Sequence, residues 1–465
     1  MTIGTSANPL RVAIIGSGPS GFYAADFLQK QADLVVEIDM FERLPTPFGL
    51  VRGGVAPDHP KIKSVTRVYD RTALHPNFRF FGNVTFGRDI KHDDICDHYH
   101  AVIYAVGAQS DRRLGIPGED LPGSHAATEF VAWYNGHPDF RDLTFDLSSE
   151  RVAVIGNGNV AMDVARILAR SIDELRQTDV ADYALEALAE SRVREIYILG
   201  RRGPIQAKFT TPEIKEFGEM EEADIIVPLS EIELDPLSSK YLLEKSDRTA
   251  EHNYQILKQY ADAGPSGKRK QVIMRFLVSP LEIQGSDRVE NMILQRNEIC
   301  ERDHFLRPCS TDEIVTLPVG LVFRSIGYLG TPLPGVPFDE RAGVIPNVVG
   351  RVMDESEQVM GEYVVGWIKR GPSGIIGTNK PDSQETVRAL LEDLDTGLLH
   401  EPANPSPAAV EDLLHARGVR AVSYAEWQNL DRMEIERGAA VGRPRVKFTR
   451  VEEMIEALDA HKETV

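Results

Sequence analysis

Short apolar runs recur along the chain, and the first is followed by a glycine-rich turn and a helical pattern. Residues 12–15 are all apolar, Gly16, Gly18 and Gly21 follow at once, and residues 22–29 have helical spacing. This order predicts a strand, a tight turn and a helix, the arrangement that places a dinucleotide diphosphate at a helix N-terminus. The alternative is a glycine-rich loop that only reverses the chain.

The second apolar run supports a dinucleotide site. Residues 35–41 form a predicted strand that ends in Glu42, about 20 residues after Gly21. A carboxylate at this position accepts hydrogen bonds from ribose hydroxyl groups. We therefore expect the first unit to bind a dinucleotide whose ribose carries no phosphate.

The same plan appears again in the middle of the chain. Residues 151–155 predict a strand, residues 156–161 (GNGNVA) a second glycine turn, and residues 162–170 a helix. After a helical insertion at 171–191, the next predicted strand, 193–199, leads into Arg201 and Arg202. Arginine side chains suit a ribose phosphate because their fixed donor geometry matches phosphate oxygens. The first site should therefore bind FAD and the second NADP, unless the two arginines only form a solvated turn.

The remaining pattern completes an α/β organisation. The predicted elements are an irregular loop at 44–61, a helix at 62–72, strands at 78–87 and 101–108, a charged surface segment at 245–270, an antiparallel pair at 271–278 and 289–296, strands at 321–328 and 363–365, a helix at 382–394, and a helical tail beyond 401. We expect two Rossmann-like three-layer domains, with an NADP domain (109–330) inserted into an FAD domain (1–108 and 331–465).

Composition narrows the possible partners. The net charge of −19 disfavours nucleic acid and anionic lipid, and the first residues show no export or membrane-spanning pattern, so a cytoplasmic protein is expected. Cys96, Cys300 and Cys309 lack the spacing of a disulfide scaffold, a metal site, an iron–sulfur cluster or a redox dithiol. Electrons should therefore pass through a bound organic cofactor.

Four side chains are candidates for chemistry near the cofactors. His59 is the only histidine of the loop at 44–61, and Trp367 lies in a glycine-rich bend before a predicted helix. Glu213 and Glu216 lie one turn apart on another predicted helix. The alternatives are a surface histidine, a core tryptophan and carboxylates that only complement a helix dipole.

Five segments together resemble the adrenodoxin-reductase type of ferredoxin–NADP reductase, over residues 11 to about 394. They are residues 45–52 (PTPFGLVR), 54–61 (GVAPDHPK), 156–160 (GNGNV), 200–203 (GRRG) and 366–379 (GWIKRGPSGIIGTN). Related flavoproteins often carry an acidic residue after the glycine that corresponds to Gly366. This chain has Trp367 there, as this branch of the family does.

The resemblance implies a set of cofactor-binding and catalytic residues. FAD would contact Gly18, Ser20, Glu42, Leu50, Phe86, Trp367, Gly374, Ile375 and Ile376, and the glycine motif itself adds Gly16 and Gly21. NADP would contact Arg112, Asn157, Gly158, Asn159, Val160, Arg201, Arg202, Glu213 and Gly374. His59 and Glu216 would lie together near the flavin as catalytic residues.

The implied reaction is hydride transfer from NADPH to FAD, followed by single-electron transfers to a ferredoxin. Flavin suits this task because it accepts two electrons and releases them one at a time. No cysteine cluster of a ferredoxin is present in the sequence, so the iron–sulfur partner is expected to be a separate protein. The alternatives are a disulfide reductase of the same fold, a flavin subunit of a larger synthase or monooxygenase, and a non-catalytic redox sensor.

Overall fold

The computed structural model describes residues 2–245 and 247–464, which form two compact units. Unit 1 comprises residues 2–55, 59–110 and 327–464, and unit 2 comprises residues 56–58 and 111–326. Within the described ranges, no helix combines the length and apolar character needed to cross a lipid bilayer. The expected α/β class, with one dinucleotide-binding unit inserted into another, is confirmed.

The first part of unit 1 alternates strands and helices. Its elements are β1 (Leu10–Ile15), α1 (Pro19–Gln29), β2 (Val36–Phe41), α2 (Leu50–Gly53), α3 (Pro60–Lys63), α4 (Thr66–Ala73), β3 (Phe78–Phe81), α5 (His92–His98) and β4 (Ala101–Tyr104).

Most of the next elements belong to unit 2. They are β5 (Ser110–Asp111), β6 (Ser124–Ala126), α6 (Ala127–Tyr134), β7 (Arg151–Ile155), α7 (Asn159–Ala169), α8 (Ile172–Leu175), α9 (Asp182–Ala189), β8 (Glu195–Leu199), α10 (Thr211–Glu216), β9 (Ala223–Ile226), α11 (Leu229–Ile232), α12 (Pro236–Lys245), α13 (Arg248–Ala263), β10 (Lys270–Arg275), β11 (Val278–Gln284), β12 (Asn291–Arg302), β13 (Phe305–Pro318) and β14 (Leu321–Arg324).

The last part of the chain returns to unit 1 and adds strands before a helical tail. Its elements are β15 (Tyr328–Leu329), β16 (Asn347–Val348), β17 (Arg351–Asp354), β18 (Glu357–Val364), α14 (Trp367–Arg370), α15 (Asn379–Thr396), α16 (Pro407–Ala416), α17 (Tyr424–Ala439) and α18 (Val451–Thr464).

The sheet of unit 1 has seven strands in the order β16-β17-β18-β4-β1-β2-β3. From β18 to β3 the neighbours are parallel, and every residue of β1 and β4 is buried, which explains the apolar runs at 12–15 and 101–104. Leu10, Val12 and Ile14 pack in the same cluster as α1 and α15, whereas Ala13 and Ile15 face a second cluster on the other side. The strand that carries the first glycine turn therefore lies in the middle of a three-layer core.

Unit 2 repeats this architecture with a parallel sheet in the order β6-β14-β7-β8-β10-β9. An antiparallel sheet of β11, β12 and β13 is added to it. The strands β7 and β8 pair in register from Arg151 with Glu195 to Ile155 with Leu199. This pairing brings the end of β8 beside the second glycine turn, as the order of a dinucleotide-binding unit requires.

The prediction of an antiparallel pair at 271–278 and 289–296 is wrong in its first member. Residues 270–275 form β10, which is parallel to β8 and β9 in the main sheet. Leu277, with a φ of 54°, lies between the end of β10 at Arg275 and the start of β11, and β11 is the antiparallel partner of β12. A single residue in the left-handed region thus divides one apolar run between two sheets.

Three other expectations need correction. The segment at 245–270 is not only surface, because α13 buries Ile256 and Leu257. The loop at 44–61 contains the single helical turn α2 and the start of α3, and the helix expected at 62–72 is split between α3 and α4. Cys300 and Cys309, whose spacing is not that of a disulfide scaffold, form a disulfide between β12 and β13. Because these strands pair across a hairpin, their register decides which side chains meet.

Candidate functional site

The first glycine turn leaves an open side at Gly18. Gly16 has a φ of 101°, and a Cβ there would lie 2.7 Å from the carbonyl oxygen of Ala105. A Cβ on Gly21 would lie 2.6 Å from the carbonyl oxygen of Gly16. A Cβ on Gly18, in contrast, meets nothing within 4 Å apart from its chain neighbours. Gly16 and Gly21 therefore form the turn, and Gly18 leaves room for a diphosphate at the start of α1.

Glu42 is held in a fixed position at the end of β2. Its Oε2 accepts hydrogen bonds from the backbone N–H of Ser17, at 3.1 Å, and from the Ser17 hydroxyl, at 2.7 Å. Its Oε1 accepts from the backbone N–H of Leu44, at 3.2 Å. The carboxylate therefore lies directly beside the glycine turn, where a ribose hydroxyl group would be recognised.

The loop after Glu42 folds back over the same turn. The Phe48 N–H donates to the Ser17 carbonyl oxygen at 3.0 Å, and a Cβ on Gly49 would lie 3.0 Å from the Gly18 Cα. Phe48 itself has a φ of 84°. Gly49, with a φ of 48°, permits this close approach of two backbone segments. The loop thereby forms one wall of the site and presents Leu50, which is 38% exposed.

The helical tail holds this loop in place. Arg52 donates from both terminal nitrogens to Glu434 of α17, at 2.8 and 2.5 Å. Glu434 is fully buried and also accepts hydrogen bonds from Arg445, at 3.1 Å, and from the N–H of Phe448, at 2.9 Å. The Arg52 guanidinium also lies over the ring of Trp427, at 5.1 Å from its centroid. The tail, in which the sequence indicated no chemistry, therefore supports the wall of the first site.

The glycine-rich bend after β18 lies beside the start of α1. The Gly366 N–H donates to Asp382 Oδ2 at 2.7 Å, and a Cβ on Gly366 would lie 2.2 Å from Ser20 Oγ. Ser383 Oγ donates to the Ser20 carbonyl oxygen at 3.0 Å. Only glycine permits this approach at position 366, where φ is 76°. Ser20 and the bend are thus brought together in unit 1.

The other predicted flavin-contacting side chains occupy different environments. Trp367 packs on Tyr328, with ring centroids 5.4 Å apart, and donates from Nε1 to the Ser373 carbonyl oxygen at 3.2 Å. Phe86 is buried beside Tyr104. Gly374 has a φ of 83°, Ile375 is 56% exposed, and Ile376 packs on the core that contains α1.

The second glycine turn has the same open geometry. Gly156 has a φ of 127°, and a Cβ there would lie 2.1 Å from the carbonyl oxygen of Ser325, whereas a Cβ on Gly158 meets nothing within 4 Å apart from its neighbours. Asn159 Oδ1 accepts from the Thr210 N–H at 2.8 Å, and Val160 packs on the core of unit 2. The buried Nδ2 of Asn157 has no hydrogen-bond acceptor among the described residues. A Cβ on Gly200 would lie 2.7 Å from this nitrogen, so the unsatisfied donor lies beside the end of β8, and it fits a bound nucleotide.

The backbone of Arg201 and Arg202 is fixed, but their guanidinium groups have no partner in the part of the chain that the structure describes. Asn297 Nδ2 donates to the Arg201 carbonyl oxygen at 3.0 Å, and the Leu277 N–H donates to that of Arg202 at 3.1 Å. Neither guanidinium forms a hydrogen bond or ion pair with the described residues, and Nε of Arg202 is buried. Two unpaired cationic forks at the end of β8 fit a ribose phosphate. Arg112, also expected at NADP, is exposed.

Glu213 and Glu216 belong to a buried charged network around Arg166. Arg166 is fully buried and donates to Glu213 at 2.8 Å, to Asp163 at 2.6 Å and to Asp58 at 2.7 Å, with Glu216 Oε2 at 3.4 Å from its Nε. Burial alone would lower the pKa of Arg166, but Asp163, Asp58 and Glu213 outweigh it and hold that pKa well above its ordinary value. The network organises α7 and α10 beneath the second glycine turn.

The two predicted catalytic residues belong to different units. His59 is buried in unit 1, whereas Glu216 lies in unit 2, so their meeting near a flavin stays a prediction. Sequence reasoning missed the anchoring role of Glu434, Asn297 and Arg166. Arg166 and Glu434 lie among the buried residues of α7 and α17. A charged residue at a helix position whose neighbours are buried is the only signal of their anchoring role that the sequence carries.

Two parallel sheets, each with a glycine turn open at a helix N-terminus, define a flavoprotein with two dinucleotide-binding units. The family model of pyridine nucleotide-disulphide oxidoreductases matches residues 10–217. NADPH-ferredoxin reductase FprA from Mycobacterium tuberculosis is 47% identical over 456 residues, which cover 96% of this chain and 98% of that protein. The structure of that protein in complex with NADPH is similar with a TM-score of 0.92, over 97% of this chain and 100% of the other.

A more distant relative extends the comparison beyond bacteria. The mitochondrial NADPH:adrenodoxin oxidoreductase of Salvelinus fontinalis is 40% identical over 99% of this chain and 93% of its own length. The chain belongs to the adrenodoxin-reductase type of ferredoxin–NADP reductases. It is therefore an oxidoreductase that uses FAD and NADP.

Proposed function

We propose that the chain takes a hydride from NADPH and passes the electrons singly to a separate ferredoxin-type iron–sulfur protein. The observation that carries the proposal is the contrast between the two strand ends, with Glu42 held beside the first glycine turn and Arg201 and Arg202 left unpaired near the second. A bound flavin would supply the conversion between two-electron and one-electron transfer. The relatives named for ferredoxin and adrenodoxin reduction support an iron–sulfur partner.

The residues of the chain would bind and orient the cofactors rather than form covalent bonds with them. Gly16, Gly18 and Gly21 would admit the FAD diphosphate, and Glu42 would accept from its ribose. The bend from Gly366 to Ile376 would present backbone N–H groups and the start of α15 to the flavin, where negative charge develops on reduction. The positive end of this helix would stabilise the reduced form.

The second unit would select NADPH and place its reactive end. Asn157 and the open side of Gly158 would receive the diphosphate, while Arg201, Arg202 and Arg112 would bind the ribose phosphate. We assign Glu213 and Glu216 to orientation of the nicotinamide, and His59 to the charge and hydrogen bonding around the flavin. Loss of any one of the three should slow flavin reduction without abolishing it.

The experiment is an anaerobic titration of the holoenzyme with NADPH and with NADH, followed by visible absorbance. NADPH should bleach the flavin faster than NADH, and added ferredoxin should then support steady cytochrome c reduction. Bleaching without ferredoxin-dependent turnover would contradict the proposed electron acceptor. Fractionation of cells that express the chain would test the cytoplasmic location that we also propose.

The role of the arginines has its own test. Arg202→Ala should raise KM for NADPH by at least about tenfold, since a charge-assisted hydrogen bond contributes roughly 1.5–3 kcal/mol, and should change KM for NADH little. Arg192→Ala, which removes an exposed arginine of the same unit, is the matched control. Equal effects of Arg202→Ala on the two nucleotides would refute phosphate recognition by this side chain.

A further inference from the structure

A cluster of metal-ligating side chains lies in unit 1 outside the two glycine turns. His92 and Cys96 are one turn apart on α5, Glu362 lies on β18, and His400 follows α15. Ligand atoms of His92, Cys96 and Glu362 all lie within 4.8 Å of one another. Cys96 is the one free thiol among the described cysteines, since the other two are joined in a disulfide. Nothing in the proposed reaction uses these residues.

The sulfur of Cys96 has an imidazole nitrogen on each of two sides. Sγ lies 3.9 Å from His92 Nδ1 and 4.0 Å from His400 Nε2. In a tetrahedral zinc site, with Zn–S near 2.3 Å and Zn–N near 2.0–2.1 Å, a sulfur and a nitrogen ligand are about 3.6 Å apart. Contractions of about 0.3–0.4 Å in the two separations would therefore reach the sulfur–nitrogen spacing of such a site.

His92 is oriented in the way that metal-binding histidines are. Its Nε2 lies 2.6 Å from Glu362 Oε1, and the other oxygen of this carboxylate accepts from the Tyr104 hydroxyl at 3.0 Å. Glu362 is 1% exposed, so its carboxylate requires a positively charged or donating partner. A proton on Nε2 satisfies Glu362 and leaves the Nδ1 lone pair directed toward Cys96. A carboxylate that holds the far nitrogen of a metal-binding histidine is the usual second layer of such a site.

Charge and access fit a divalent cation. A thiolate at Cys96 and the carboxylate of Glu362 together carry two negative charges, which one divalent ion balances. The side chains of His92, Cys96 and His400 are all partly exposed, so an ion can reach them from solvent. Thiolate and imidazole ligands favour zinc over magnesium or calcium, which prefer oxygen.

We propose that Cys96, His92 and His400 bind Zn²⁺, with Glu362 as the residue that positions His92. A water molecule completes the tetrahedron. The ion links α5 to the segment after α15, and through Glu362 to the strand that leads into Gly366 and Trp367. Its binding should therefore stabilise unit 1, because a ligand bound only by the folded state raises the free energy of unfolding.

The test uses tag-free holoenzyme and Co²⁺ as a spectroscopic probe for the zinc site. Binding should produce ligand-field bands in the red, beyond the absorption of oxidised flavin, together with a sulfur-to-cobalt charge-transfer band. Zn²⁺ should displace the cobalt, raise the melting temperature and protect Cys96 from a thiol reagent. Cys96→Ser should abolish the charge-transfer band, and Glu362→Gln should weaken Zn²⁺ binding about 10- to 100-fold. His415→Gln, which changes an exposed histidine of α16, is the matched control.

Three results would overturn the proposal. The first is the absence of saturable Co²⁺ or Zn²⁺ binding by the wild-type holoenzyme. The second is a Cys96→Ser variant, with normal flavin content, that binds the metal as tightly as the wild type. If Cys96 instead reacts with a low-molecular-weight disulfide and Zn²⁺ gives no protection, the cluster is a thiol-modification site rather than a metal site. None of these outcomes depends on electron transfer to a ferredoxin.

Discussion

Arg166 Nη1 donates to Glu213 Oε2 at 2.8 Å, and both side chains are buried in unit 2. The carboxylate that the family resemblance assigns to NADP is therefore also part of the protein's own ion network. If a buried arginine is removed, the carboxylates around it lose the positive charge that they share. Arg166 thus helps to fix the position of the Glu213 carboxylate.

Arg166→Met should destabilise unit 2 strongly. The substitution removes the cation that Asp163, Glu213 and Asp58 share, while Arg170 still donates to Asp58, and breaking a buried pair typically costs about 3–5 kcal/mol. Denaturant unfolding followed by circular dichroism measures this loss. Arg176→Met, which removes an exposed arginine paired with Asp173, should change stability little. A similar small effect for both variants would show that the network contributes no net stability.

Gly18→Ala should separate cofactor binding from folding. The backbone of Gly18 has a φ of −76°, which alanine adopts, and its Cβ meets nothing within 4 Å beyond the chain neighbours. The apoprotein should keep its melting temperature, while the methyl group occupies the space of the FAD diphosphate and lowers flavin content. Gly16→Ala should lower both the apoprotein melting temperature and the flavin content, because its Cβ collides with the Ala105 carbonyl oxygen. Flavin content and apoprotein melting measure the two effects, and normal flavin content in Gly18→Ala would contradict the assignment.

Glu434→Gln should weaken flavin retention although it lies in the tail. The variant removes the charge that pairs with Arg52 and Arg445, so the loop that carries Phe48 and Gly49 loses its anchor. We expect faster FAD release on dilution and a lower melting temperature, with a cost of about 3–5 kcal/mol typical of a broken buried pair. Glu411→Gln, at an exposed ion pair with Arg79, is the control. Unchanged FAD release would show that the loop holds its position without the tail.

Glu426 should make the stability of the tail dependent on acid. Burial alone would raise the pKa of Glu426, but bonds from Lys462, Ser423 and Arg420 outweigh it and hold the pKa at about 2, below its ordinary value of 4.5. Because the folded-state pKa is lowered, this stabilisation is present above pH 4.5 and is lost as pH falls through about 2. Glu426→Gln should therefore lower the melting temperature at pH 7, and the difference from wild type should shrink below pH 4.5. A difference independent of pH would exclude this linkage.

The sequence determined the two dinucleotide units because their signals are local. A glycine turn between an apolar strand and a helix, with Glu42 or Arg201 and Arg202 at the end of the next strand, depends on residues close together in the chain. In the structure, the open sides occur at Gly18 and Gly158 and the unpaired guanidinium groups at Arg201 and Arg202. All four are positions that the sequence motif had already indicated.

The tertiary structure alone decided which distant residues support these turns. Arg52 and Glu434 are 382 residues apart, and Arg166 meets Asp58 across 108 residues. The division of 270–284 between two sheets, the disulfide of Cys300 with Cys309, and the cluster of Cys96 with His400 depend in the same way on strand register and packing. Periodicity indicates which face of an element is buried, but it does not indicate which element packs against that face. The packing partner depends on the close packing of all the core residues together.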